Sequence, residues 1–150
     1  MLDAMQRLGT KTNTEILSIQ DAVGKSNVTA LSAKSQTYLK NLEAFGQEAH
    51  DLENKFLEKR ESGEWQYYSR QMNYVVGDNP DNLGLNSISN AVSPLTFSLT
   101  RWSSLDESGR AAAIGLLNSP ISEAQTKLQI FFKWENECHV RITTIRQRLN

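Results

Sequence analysis

Two heptad stripes, one in each half of this 150-residue chain, constrain its fold more than any other feature. In the C-terminal half Ile114, Leu117, Ile121, Ala124, Leu128, Phe131, Glu135, Cys138, Ile142, Ile145 and Leu149 follow at alternating steps of three and four, with only Glu135 polar. In the N-terminal half Leu31, Ser35, Tyr38, Leu42, Phe45, Ala49, Leu52 and Phe56 do the same, with only Ser35 polar. Such steps hold side chains on one narrow face of an α-helix, so each segment carries a seam that must be buried against another helix. A single seam is too narrow to stabilise a helix in water, and closure within the chain or oligomerisation is required.

The length suits one domain with a real core, and 39% hydrophobic against 22% charged residues is the balance expected where narrow seams replace a broad core. A net charge of -1 argues against a nucleic-acid binder, which would carry a basic excess. Charge is uneven along the chain, with seven acids and three bases from Glu43 to Glu64 and five bases and two acids from Lys127 to Asn150. Cys138 is the single cysteine, so no intramolecular disulfide forms. The start lacks the basic patch and apolar run of a signal peptide, and no apolar stretch approaches the roughly 20 residues of a membrane span. The expectation is a cytoplasmic chain, or one exported by a route that reads no cleavable signal.

Leu2, Met5 and Leu8 form a short amphipathic start that stops at Gly9, and Thr12 with Glu15 reads as a capping box for a helix through Val23. From Asn27 to Arg60 the pattern is helical without proline, which corresponds to about 50 Å. After Ser62 and Gly63, residues 64–76 suit either a helix or a short hairpin, since Trp, Tyr and Val also favour strands. Gly77 to Pro94 has a breaker composition and reads as a long loop. Ser103 or Ser104 caps the next helix, and Pro120 opens a last one to Leu149 or kinks a longer one.

No catalytic machinery emerges. His50 and His139 sit in no metalloprotease motif or nucleophile elbow. Gly24, Lys25 and Ser26 have the ending of a phosphate-binding loop, but Ile19 stands where its first glycine belongs and no strand precedes it. Glu135, Cys138 and His139 share one helical neighbourhood, yet three ligands on one short stretch are strained around a single ion and no second cluster completes a site. The sequence therefore implies no enzyme, no cofactor and no metal.

The candidate contact residues are the aromatics Trp65 and Tyr68, the seam-flanking Trp134, and the basic end Arg141, Arg146 and Arg148. In an antiparallel hairpin that end adjoins Lys25, Lys34 and Lys40 and forms a basic tip. The expected fold is all-α: an elongated antiparallel coiled-coil hairpin with arms 27–60 and 120–149, a central insert 63–102 and an N-terminal helix. The hairpin would place Phe56 near Ile121 and Leu31 near Leu149. The expected function is a non-enzymatic structural or assembly subunit, oligomeric, acting by self-association or by binding a partner helix. The alternative is a soluble adaptor or chaperone that holds a partner's amphipathic helix. In its arrangement of the Leu31–Phe56 seam, the insert and the Leu128–Leu149 seam, the chain resembles the needle-tip and filament subunits of bacterial type III secretion systems. That resemblance implies N- and C-terminal helices paired as a coiled coil around a variable centre.

Overall fold

A computed structural model of the chain describes residues 2–61, 69–84 and 87–149, and every regular element among them is helical. Four long walls form the body: α1 (Leu2–Gly24), α2 (Val28–Arg60), the broken pair α4 (Ile88–Ala91) and α5 (Ser93–Ser103), and α7 (Asn118–Leu149). Between them lie α3 (Ser69–Val75), α6 (Glu107–Ala113) and a 3-10 turn, Ile114–Leu117. Asn27 starts α2, its side chain accepting from the Ala30 amide at 3.0 Å.

The direction of each wall follows from its cross-contacts. Arg7 pairs with Glu48 at 2.8 Å, and Lys34 donates to the Ser18 carbonyl at 3.2 Å, so α1 and α2 are antiparallel. Gln125 donates to Gln20 at 3.1 Å, and His139 lies 3.9 Å from Asp3, so α1 and α7 are antiparallel as well. It follows that α2 and α7 run parallel. The main neighbours of both are α1 and the α4–α5 wall, which place them diagonally across an up-down-up-down bundle.

This overturns the direct antiparallel pairing of the two seams. Phe56 lies toward the Ile145 end of α7 rather than Ile121, and Leu31 lies toward Ile121 rather than Leu149. The physical reason is that α1 and α5 carry seams of their own. Met5, Leu8, Thr12, Ile16, Ile19 and Val23 are buried along α1, and Ile88, Val92, Leu95, Leu99 and Trp102 along α4–α5. Four apolar faces close one core, so no pair of helices needs to form a two-stranded coil. Phe131, completely buried at its centre, is the kind of residue whose truncation costs about 3–5 kcal/mol.

Three local expectations are corrected by the same packing. α1 passes straight through Gly9, because a Cβ there would stand 2.8 Å from the Phe132 ring edge and 3.3 Å from that of Phe131. Glycine allows close approach to α7 at this point and does not break the helix. Thr12 is no cap either, since its buried hydroxyl donates to the Leu8 carbonyl at 2.9 Å. Within the expected 77–94 loop, residues 88–91 are helical. Pro94 has no amide to offer the Asn90 carbonyl, and the Ser93 hydroxyl donates to that carbonyl instead, at 3.1 Å. The α6 cap is Asp106, which accepts from the Gly109 amide at 2.7 Å, rather than Ser103 or Ser104. Of the 64–76 segment, Ser69–Val75 is helix and not hairpin.

Candidate functional site

The basic tip is not assembled as expected. Arg146 and Arg148 are exposed at the end of α7 and form no ion pair among the described residues, but Lys25 and Lys34 lie toward the other end of the bundle. Parallel α2 and α7 instead put the arginines at the same end of the bundle as the mixed-charge Asp51–Lys59 turns of α2. Arg141 is half-buried and held within the chain, its Nε 3.1 Å from Glu137 and its guanidinium 3.9 Å from the centre of the Tyr74 ring. Trp134 widens the buried face. It packs against Phe131 with ring centres 5.6 Å apart, and its Nε1 points at the Tyr74 carbonyl from 3.5 Å. Trp65 and Tyr68 lie outside the described residues.

The polar seam position Glu135 is completely buried, with its Oε1 2.8 Å from Nε2 of His139 one turn later. Burial pushes the Glu135 carboxyl above its ordinary 4.5, with His139 opposing the rise and Asp3 adding to it. The neighbouring Cys138 thiol is driven up to about 12 by burial first and by Glu135 second, so it is an inert core group and not a nucleophile. Asp3 is 95% exposed with its carboxylate 3.9 Å from His139 Nε2, and no three metal-capable groups converge among the described residues. Tyr38 is a second buried polar anchor, its hydroxyl 3.1 Å from that of Thr96. Burial raises its phenol to about 12, so it stays a neutral link between α2 and α5.

Concave surfaces among the described residues include a shallow one of about 210 Å³ between α1 and α2, lined by Glu15, Ser18, Ala33, Lys34 and Thr37, and two larger ones. Between α1 and α7 runs a groove of about 340 Å³ lined by Asn13, Leu17, Ser122, Gln125, Thr126 and Gln129. No charged side chain lines it. Leu17 in its lining stands 50% exposed, and Ile130, one turn beyond Thr126 on α7 and outside the lining, stands 41% exposed. The other larger surface is a cavity of about 460 Å³ at the end of the bundle where α5, α6 and the 3-10 turn meet, lined by Ser98, Arg101, Trp102, Ser104, Leu105, Ala113, Leu116 and Leu117. Trp102 fixes its shape by donating from Nε1 to the Arg110 carbonyl at 3.0 Å.

Neither of these larger surfaces was singled out by sequence reasoning. Leu17 is apolar one position after the seam residue Ile16, and Leu116 one position before Leu117; such off-seam leucines are the signal that was available. Compared with protein-family models, curated proteins and solved structures, the chain matches none. No helix among the described residues is long and apolar enough to cross a membrane.

Proposed function

We propose that the chain is a non-enzymatic helical assembly subunit that associates with copies of itself or with a partner helix along the α1–α7 groove. The observation that carries this is an uncharged groove lined by exposed Leu17, with exposed Ile130 one turn beyond its lining residue Thr126, on a chain in which 22% of residues are charged. Depletion of charge with retention of apolar side chains is the composition of an interface centre. Gln125 and Gln129 supply amide donors and acceptors that fix a partner in register. Arg146 and Arg148 steer approach without supplying much affinity. Because the long seams are consumed inside the bundle, self-association of this kind joins closed bundles side by side.

The second reading, an adaptor holding one amphipathic helix, is favoured by the form of the groove, since two antiparallel helices leave a furrow suited to a third. Sedimentation of the full chain over a concentration series separates the two. A subunit is expected to form dimers or larger species, and Leu17→Glu with Ile130→Glu to weaken them at least tenfold with unchanged helix content. A chain monomeric at every concentration contradicts self-association and leaves the adaptor. Assembly indifferent to both substitutions removes the groove from the account.

A further inference from the structure

We infer that the end cavity is a binding site for a small amphipathic carboxylate, a medium-chain fatty acid or a molecule of the same chemistry. This inference stands apart from the partner groove, which lies on a different face. The floor is apolar, formed by buried Trp102 and Leu117. Leu105 and Leu116 form the rim at 40% and 77% exposure, a large apolar area left to water beside a ready cavity. Arg101 lines the cavity with no acidic partner among the described residues, its guanidinium 5.7 Å from the centre of the exposed Phe97 ring. Ser98 lines the same cavity.

An unpaired planar cation with a hydroxyl beside it suits a carboxylate, which can accept two parallel bonds from arginine and a third from serine. The apolar walls suit a chain of methylenes, whose burial is favourable. The volume of about 460 Å³ falls within the 300–1,000 Å³ typical of small-molecule sites, and the lining has their usual make-up of apolar walls with a few polar groups. The shape is held without a ligand, since the Trp102 bond to the Arg110 carbonyl and the Arg110 contact with the Ser103 carbonyl tie α5 to α6.

The test is calorimetric titration of the full chain with sodium octanoate below its micellar concentration, with neutral 1-octanol in parallel. Octanoate is expected to saturate at one per chain. Arg101→Gln is expected to weaken octanoate at least tenfold and octanol less than twofold, and Leu116→Asp to weaken both, with helix content and Tm of each variant unchanged. Octanoate that does not saturate, or an Arg101→Gln variant that weakens both ligands equally or neither, overturns the inference. A chain that sediments with phosphatidylglycerol vesicles but fails to bind octanoate also overturns it, and identifies a lipid surface as the ligand.

Discussion

Glu135 is the residue at which sequence and structure bear most directly on each other. A carboxylate interrupting an apolar seam must pair, reach solvent or set register, and here it is buried and pairs with His139. Desolvation raises its folded pKa above the ordinary 4.5, so between that value and the raised one the folded state binds more protons than the unfolded chain. The stabilising contribution of Glu135 is therefore fully present below pH 4.5 and is lost as pH climbs through the folded value. We predict that this contribution makes Tm fall over the window in the native chain, and that Glu135→Gln, which keeps the shape and cannot ionise, makes the fall shallower. Thermal melts from pH 4 to 8 check this; the same slope in both proteins contradicts it. The position was legible from heptad phase alone, but its partner was not separable from other nearby groups, because spacing places Cys138 and His139 almost equally close.

At the scale of elements, the seams of α2 and α7 were readable because only one polar residue interrupts each. The seams of α1 and α4–α5 were hidden by residues that usually break helices. Gly9 divides the first, and Ser87, Asn90, Ser93 and Pro94 surround the second, although Ile88, Val92, Leu95, Leu99 and Trp102 keep the heptad steps. Composition favoured a loop there, and tertiary burial overrode it. Gly9 gives a test whose sign is informative. Helix propensity alone favours Gly9→Ala by about 1 kcal/mol. The close approach to Phe132 and Phe131 opposes it, and overpacking typically costs about 1–3 kcal/mol. We predict a net loss of about 1 kcal/mol in denaturant unfolding, turning to a gain when Phe132 is first truncated to alanine. A stabilising Gly9→Ala in the native chain would show that α1 and α7 stand farther apart than described.

For the whole molecule, the all-α class followed from periodicity, whereas topology depended on how many apolar faces share the core. With two seams in view the economical closure is an antiparallel hairpin; with four it is an up-down-up-down bundle in which α2 and α7 are parallel. The contact surfaces change with it, because the arginine end of α7 moves away from Lys34 and the α1–α7 groove comes into being. The most direct measurement is a pair of spin-label distances in a Cys138→Ala background, with labels at Lys34 and Gln125 and, separately, at Lys34 and Arg146. Lys34 and Gln125 both meet α1 between Ser18 and Gln20, whereas Arg146 lies about 30 Å farther along α7. The bundle predicts that Lys34–Gln125 is the shorter distance, by on the order of 15 Å at the standard helix rise. A shorter Lys34–Arg146 distance would contradict it and restore the hairpin.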